Sequence, residues 1–417
     1  MTAAATESAY AWGRLLAALA MMTLGGAGMY GVTVVLPQIQ AEFEVARSAA
    51  SLPYTLTMVG FGIGGVLMGR LSDRFGVRLP VLIGAAALGL GFVAAGNARS
   101  LLEFSLAQGL VIGLFGTAAT FAPLVADISL WFTRRRGIAV AIVISGNYLA
   151  GAIWPPVMQH FFDTVGWRQT YIGVGVFCLL AMLPLTLMLR RRPPALGAAP
   201  AAQPKSVLQP ARPLGFTPNA LTVLLSIAGV SCCVAMSMPQ VHIVAYCGDL
   251  GFGAARGAQM LSLMLGFGIV SRLTSGWVCD HIGGLRTLLL GSTLQAIALV
   301  LFLPFDGLLS LYVISAMFGL FQGGIVPSYA IIVREYFSPR EAGARTGMVL
   351  MATLFGMALG GWMSGAIFDL TGSYRAAFLN GIGWNLLNLM IAGALLYRAH
   401  GFRTAVRSPD RRRRAAP

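Results

Sequence analysis

One arginine lies inside an apolar, glycine-rich stretch of the chain, "MLGFGIVSRLTSGW" at 264–277. On a helix, Arg272 shares a face with mostly small or polar residues three and four positions away: Gly268, Ile269, Ser275 and Gly276. A guanidinium can hold both oxygens of a carboxylate through parallel hydrogen bonds. The pattern predicts an inward-facing anion anchor. The alternative is snorkelling, because Asp280 lies eight residues further on, about 12 Å along a helix.

Five other polar side chains lie in apolar stretches: His242, Tyr329, Asn147, Tyr148 and Tyr30. His242 follows Pro239, whose missing N–H can open a helix locally, and a histidine can bind a carboxylate or carry a proton. Tyr329 follows "GGIVPS", and interruptions of this kind mark ligand sites in membrane proteins. Each residue also has a structural interpretation, as a packed histidine or as a helix–helix hydrogen bond. For Asn147, Tyr148 and Tyr30 we prefer the structural one.

The elements that must position these residues are membrane-spanning helices. Of the 417 residues, 57% are hydrophobic and 10% are charged, and the mean hydropathy is +0.76, which is typical of a bilayer protein. Twelve stretches are long and apolar enough to span a bilayer. They lie at about 13–36, 49–71, 79–98, 101–126, 137–159, 168–189, 218–245, 256–278, 286–304, 308–333, 343–367 and 374–397. The predicted fold class is an all-α integral membrane protein.

The net charge of +15 is distributed over alternate loops, so it does not indicate nucleic-acid binding. With the N-terminus in the cytoplasm, 23 of the 29 Lys and Arg lie on the cytoplasmic side and five outside, and Arg272 is in the membrane. The positive-inside rule therefore predicts that both termini are cytoplasmic. We expect an inner (plasma) membrane location, with the lipid bilayer as a partner. The first apolar run is too long for a cleaved signal peptide.

No nucleophile–base set, metal-spaced cluster or phosphate loop rises above chance, so the sequence predicts neither an enzyme nor a bound cofactor or metal. The five cysteines are scattered and contain no CxxC pair, which argues against a disulfide framework and a zinc site. Away from the membrane edges the only acid is Asp127. Arg272 therefore has no evident resident counter-ion, and an anionic substrate could supply the charge.

The chain divides into two related halves. A Pro- and Ala-rich segment after Arg192 predicts a cytoplasmic linker, giving bundles at 1–190 and 218–398, the linker at 191–217 and a basic tail at 399–417. "GRLSDRFGVR" (69–78) is echoed by "GWVCDHIGGLR" (276–286), and "GLFGTAATFAP" (113–123) by "GLFQGGIVPSY" (319–329). Duplicated six-helix halves are typical of carriers that rock two bundles about a central site. In the repeated loop motif, Gly69 and Gly76 predict a close helix approach and a tight turn. The motif as a whole predicts a cytoplasmic latch: Asp73, Arg74, Arg78 and Asp280.

The two loop motifs and the 6 + 6 layout resemble the major facilitator superfamily. The segments "YGVTVVLPQIQAEFEVARSAASLPYT" (30–55), "WFTRRRGIA" (131–139) and "PQVHIVAYCGDLGF" (239–252) resemble its bacterial monocarboxylate porter and oxalate/formate antiporter branch. The resemblance implies a carrier for small organic anions in which Arg272, His242 and Tyr329 face the substrate. The chain departs from the family's patterns: Gly268 stands where many monocarboxylate porters have an acid, and Gln38 where animal members have a lysine.

We therefore expect a secondary carrier of monocarboxylates, with a proton as the second candidate partner. Oxalate exchangers use a second cation on helix 11, but 346–367 contains no Lys or Arg, so one carboxylate suits this chain better than two. An efflux carrier for amphipathic compounds and a non-transporting ligand sensor remain alternatives. The sequence does not identify the anion or the direction of flux.

Overall fold

The computed structural model describes residues 7–191 and 213–407 and contains twelve helical spans with the length and composition to cross a membrane, as predicted. The spans are α1 (Ala9–Glu42), α2 (Arg47–Phe75), α3 (Arg78–Gly96), α4 (Leu101–Trp131), α5 (Arg136–Val165), α6 (Trp167–Leu187), α7 (Pro218–Asp249), α8 (Ala254–Ile282), α9 (Gly284–Leu301), α10 (Leu308–Tyr336), α11 (Glu341–Thr371) and α12 (Tyr374–Ala399). The all-α membrane fold is thereby confirmed. The predicted linker and tail fall largely outside the described residues, so the bounds of the two bundles stay a prediction.

Four of the described spans are irregular. Gly26 separates Ala9–Gly25 from Ala27–Glu42 in α1. In α2, Ser51 separates Arg47–Ala50 from Leu52–Phe75. In α4 a π-helical segment, Ala107–Thr117, precedes Ala122–Trp131. In α10 the helix stops at Gln322 and resumes at Ile325. The irregular parts of α4 and α10 overlap the segments that echo each other in sequence, so both halves depart from a regular α-helix near the same position.

The two halves repeat one packing scheme. In the first half α1 packs on α5, α2 on α4 and α3 on α6; in the second half α7 packs on α11, α8 on α10 and α9 on α12. Glycines permit the closest contacts. A Cβ added at Gly64 of α2 would lie 2.0 Å from the Leu114 carbonyl oxygen of α4, and one at Gly319 of α10 would lie 1.9 Å from that of Met264 in α8. Close approach of two backbones improves van der Waals packing. This packing drives helix association in lipid, where the hydrophobic effect does not.

The halves meet through α2 with α11 and through α5 with α8. We call the membrane side on which α6 ends and α7 begins the linker side, and the other the far side. Toward the far side, Thr55 donates to the Ala358 carbonyl oxygen at 3.1 Å and Ser262 donates to that of Ala152. Toward the linker side the same helices diverge, and a Cβ added at any of four glycines would meet open space: Gly69, Gly137, Gly276 and Gly347. The molecule is closed on the far side and open on the linker side.

The turns of the repeated loop motif have matching conformations. Gly76 and Gly283 have φ of +84° and +86°, a region that glycine adopts without steric cost. The tight turn predicted from the motif is present in both halves. The close helix approach predicted at Gly69 is absent in this conformation, because the linker side is open there.

Candidate functional site

The contact between α5 and α8 ends at a cation–π pair, near the middle of α5 and about two-thirds of the way along α8. Gly151 lies against Leu265, where an added Cβ would be 2.2 Å from Leu265 Cδ1. Two turns further along α8, Arg272 lies over the Tyr148 ring, with Cζ 4.3 Å from the ring centroid. Beyond this pair the helices separate. The pair therefore lies where the closed far side meets the opening.

Arg272 has an aromatic partner and no acidic one. Its side chain is partly buried, and its Nε is enclosed without a hydrogen-bond partner. Within the described ranges no carboxylate lies within ion-pair distance of its guanidinium. Arginine carries five N–H donors in a planar fork. The four Nη–H donors make no hydrogen bond to a described residue and are available to a ligand, while the ring face stabilises the positive charge.

Tyr30 and Asn147 lie next to this pair. Tyr30 is buried, and a Cβ added at Gly151 would lie 2.9 Å from its Cζ. It is close enough to interact electrostatically with Tyr148 and Arg272. Asn147 Oδ1 would be 3.6 Å from a Cβ added at Gly26, where α1 is interrupted. The structure brings Arg272, Tyr148 and Tyr30 together and places Asn147 on the neighbouring face of α5.

His242 lies in a different cluster and is fully buried. Its Nε2–H donates to the Gly361 carbonyl oxygen at 2.8 Å, and its Nδ1 accepts from the Tyr374 hydroxyl at 3.0 Å. Because a carbonyl oxygen can only accept, these partners select the Nε2–H tautomer. In this conformation both ring nitrogens are occupied by α11 and α12. A role for His242 in substrate binding stays a prediction.

Tyr329 is also fully buried. Its hydroxyl donates to Asn388 Oδ1 at 2.9 Å, and Asn388 Nδ2 donates to Ser292 Oγ at 2.7 Å. These bonds join α10, α12 and α9 within the second half. They match the structural alternative given for Tyr329, whose contact with a substrate stays a prediction.

The predicted latch residues lie at the open linker side. Asp73, Arg74, Arg78 and Asp280 are exposed, and Arg74 stacks on the adjacent Phe75, its Cζ 5.2 Å from the ring centroid. Among the described residues none of the four makes a hydrogen bond or an ion pair across the two halves. A latch that closes the linker side would be open in this conformation.

Sequence analysis missed a cluster on the far side, centred on Arg47 at the start of α2. Its side chain is only 9% exposed. Nη1 donates to Asp249 Oδ2 at 2.9 Å and to the Tyr374 hydroxyl at 2.7 Å, and Cζ lies 4.5 Å from the Phe368 ring centroid. The backbone N–H of Arg47 also donates to Asp369 Oδ1 at 2.8 Å. One first-half arginine is thus held by α7, α11 and α12; we call this set the far-side cluster.

Opposite charges at helix ends were the available signal for the far-side cluster. Arg47, Asp249 and Asp369 all lie at ends predicted to face the same side of the membrane. We placed Arg47 in a loop outside the membrane because the count of basic residues treated each loop separately. Its partners are 202, 322 and 327 residues away along the chain, so no local pattern reveals them.

A second buried arginine corrects the loop assignment of basic residues. Arg14 was counted among the cytoplasmic loops, but it lies inside α1 with no exposed surface. It pairs with Asp127 of α4 through two bonds of 2.7 and 2.8 Å and donates to the Met188 carbonyl oxygen at 3.0 Å. Asp127 is therefore committed to Arg14 and is not a counter-ion for Arg272.

The linker side of the first half is tied down by Glu7. Its Oε1 accepts from the backbone N–H groups of Arg134 and Arg135 at 2.7 and 2.8 Å. The bond from Arg135 is the main cause that lowers the pKa of Glu7 below its ordinary value, because it stabilises the carboxylate.

The parts of the chain that the structure describes contain no metal-binding cluster and no disulfide. No group of three or more His, Cys, Asp or Glu side chains could hold a metal ion there. All five cysteines are buried free thiols.

Comparison with known proteins gives one family match and a consistent set of relatives. A family model described as the Major Facilitator Superfamily matches residues 16–310 and 273–416. Monocarboxylate transporter 13 of Bos taurus is 28% identical over 403 residues, covering 95% of this chain and 89% of that protein. Monocarboxylate transporter 11 of Homo sapiens is 27% identical over 402 residues, covering 94% and 83%.

The fold also matches a solved structure. A bacterial homologue of the human lysosomal transporter Spinster, in an inward-facing and occupied conformation, superposes with a TM-score of 0.70 at 15% identity, covering 94% of this chain and 98% of that one. At this identity the similarity concerns the fold alone. It agrees with the two-bundle arrangement described above.

Proposed function

The chain belongs to the Major Facilitator Superfamily, and on that premise we propose that it is a secondary active transporter of small organic anions, specifically monocarboxylates, working by alternating access. The relatives named as monocarboxylate transporters support the substrate class. The duplicated packing and the one-sided opening support the mechanism, because each half can rock as a unit about the α2–α11 and α5–α8 contacts.

Arg272 is the observation that carries the proposal. A charge at membrane depth costs about 2.5–3.5 kcal/mol on insertion scales. Arg14 and Arg47 offset this cost with carboxylates of their own. Arg272 has only the Tyr148 ring within the described part of the chain, and it lies at the edge of the opening. A carboxylate that enters from the opening supplies the missing charge and accepts from the guanidinium fork.

The proposed substrate carries one negative charge. The central part of α11, residues 346–367, contains no Lys or Arg. Arg345, at the linker-side end of α11, is occupied: it donates to Glu341 at 2.9 Å and to Thr222 Oγ1 at 2.7 Å. A dicarboxylate would meet one free cation where it needs two.

His242, Asp73 and Asp280 have their proposed roles in the other conformation, in which the far side is open and the linker side is closed. Opening of the far side would separate Arg47 from Tyr374 and uncover the His242–Tyr374 pair, where His242 could then bind substrate or a proton. Closure of the linker side would bring the end of α2 toward the start of α11, where Asp73 and Asp280 would act as latches. We place the protein in the inner (plasma) membrane with both termini in the cytoplasm, in accordance with the bias in basic residues.

Counterflow in proteoliposomes tests the proposal, with labelled lactate and pyruvate as probes and oxalate as the dianion. We expect lactate or pyruvate to exchange and oxalate to compete weakly. Arg272→Gln should abolish exchange while the protein still folds, and Arg272→Lys should keep weak binding because a lysine offers charge without the planar fork. Arg256→Gln, the same change at an exposed position of α8, is the matched control.

Three results would contradict the proposal. Exchange by Arg272→Gln at the wild-type rate would mean that the arginine snorkels. Binding of lactate without exchange would favour a sensor. Transport of amphipathic cations in place of either acid would favour an efflux carrier.

A further inference from the structure

The Tyr148 ring and Arg272 form a contact between the two halves. Tyr148 belongs to α5 and Arg272 to α8, and the guanidinium carbon lies 4.3 Å from the ring centroid. Tyr148 is 7% exposed, so the ring is held in place by its surroundings. Its hydroxyl makes no hydrogen bond to any residue that the structure describes. The part of Tyr148 that Arg272 uses is the ring face.

Gly268 gives this ring its space. It lies one turn before Arg272 on the same helix, and a Cβ added there would be 2.4 Å from Tyr148 Cε1 and 2.5 Å from Cδ1. Carbon atoms do not approach so closely, and an aromatic ring has no flexible end that could yield. Any residue larger than glycine at position 268 would therefore push the ring away from Arg272. Gly266, two residues earlier, has only the Ala152 Cβ nearby, at 4.0 Å.

We infer that Gly268 and Tyr148 are positioning residues that hold Arg272 ready for a carboxylate; this inference rests on the proposed function. A resident carboxylate would hold the guanidinium by consuming its N–H donors, and the substrate would have to displace it. A ring face attracts the same cation through its quadrupole and leaves the N–H donors free. The Tyr148 ring can lie against Arg272 only because Gly268 has no side chain. Both residues act on the substrate through Arg272.

The test measures lactate counterflow for four variants. Tyr148→Phe keeps the ring and should raise KM far less than removal of the ring does. Tyr148→Leu removes the ring, and Gly268→Ala displaces it; each should raise KM for lactate about tenfold, as expected for a partly desolvated cation–π contact, with little change in the maximal rate. Gly266→Ala is the control with room for its methyl group and should behave as wild type.

A double variant separates positioning from general disruption. If Gly268→Ala acts by displacing the ring, it should have no further effect on KM once Tyr148→Leu has removed that ring, so the two changes should be strongly non-additive. Replacing Tyr148 by increasingly fluorinated phenylalanines should raise KM stepwise, because fluorine weakens the ring quadrupole with little change in shape.

Additive effects of the two changes, or an unchanged KM across the fluorinated series, would overturn the inference and leave the proposed function standing. A loss in Tyr148→Phe equal to that in Tyr148→Leu would also overturn it, by assigning the role to the hydroxyl. If the wild-type protein exchanges neither lactate nor pyruvate, the proposed function fails and the positioning role fails with it.

Discussion

Three arginines of the spans, Arg14, Arg47 and Arg272, differ in the partners that offset their charge. Arg14 has a carboxylate that it contacts with two nitrogens, and Arg47 has a carboxylate, a tyrosine hydroxyl and an aromatic ring. Among the residues that the structure describes, Arg272 has only the ring of Tyr148. Satisfied arginines can serve structure by joining helices. The arginine with unused donors is the one that can serve a ligand.

The Arg14–Asp127 pair should matter for stability more than for transport. Its side chains are 0% and 5% exposed. Asp127→Asn would leave a buried, unpaired guanidinium, and we expect a loss of about 3–5 kcal/mol, measured as a lower temperature of unfolding in detergent. The double variant Arg14→Met with Asp127→Leu should lose much less, because it removes both charges. If the double variant were no more stable than Asp127→Asn, charge would not be the cause.

Residue types alone predicted part of the central site. The small residues around Arg272 indicated that it faces protein or a cavity, and the structure places it at such a boundary. Its partner was not predictable, because Tyr148 lies in the other half of the molecule and its contact with Arg272 depends on the missing side chain at Gly268. In the sequence, Gly268 was noted as a small residue on the face of Arg272 and as the position where many monocarboxylate porters have an acid.

For the helices, features that depend on neighbouring residues were predictable from the sequence, and contacts between residues far apart along the chain were not. The twelve spans follow from apolar length, and the "GGIVPS" segment indicated the interruption that the structure shows in α10 after Gln322. The echo between the halves predicted the matching glycine turns. The far-side cluster escaped prediction because it depends on the packing of four helix ends, and Arg14 because its partner lies in another span.

Variants of the far-side cluster and of the proposed linker-side latch should shift the balance between the far-side-open and far-side-closed conformations in opposite directions. Arg47→Gln removes the cation that joins α2 to α7 and α12, so the far side should open more often. Asp73→Asn weakens the proposed linker-side latch, so the far side should stay closed longer. We would measure labelling of Ala50→Cys, a position now 2% exposed, by an impermeant maleimide from the far side. Labelling should rise with Arg47→Gln and fall with Asp73→Asn.

Arg99→Gln is the control for this gate experiment, since Arg99 is an exposed far-side arginine. Its only hydrogen bond among the described residues is from its backbone N–H, to Glu103. Equal labelling in Arg47→Gln, Asp73→Asn and Arg99→Gln would show that neither the far-side cluster nor the linker-side latch holds its side closed.

For the whole molecule, the bias in basic residues predicts which side faces the cytoplasm. All five natural cysteines are buried, so an introduced exposed cysteine can be labelled selectively. Thr133→Cys, on the linker side, should react with an impermeant reagent only from the cytoplasm, and Asn97→Cys, on the far side, only from outside. Both positions are exposed. The reverse pattern would invert the topology and with it the assignment of this conformation as open to the cytoplasm.

The charge of the central site also determines how the whole carrier cycles. To reorient empty, the molecule must close around Arg272 without an anion, and no described carboxylate replaces that anion. The loaded site closes as a neutral pair. A penalty of only about 1.4 kcal/mol, less than the cost of a central arginine on insertion scales, would slow the empty step about tenfold.

Efflux of labelled lactate from proteoliposomes should therefore be at least about tenfold faster with lactate outside than with the impermeant anion gluconate outside. The difference should persist with a protonophore present, because it arises from the fixed charge of Arg272 and not from a proton gradient. Net efflux as fast as exchange would mean that the empty site is neutralised by a group or an ion that this structure does not place beside Arg272.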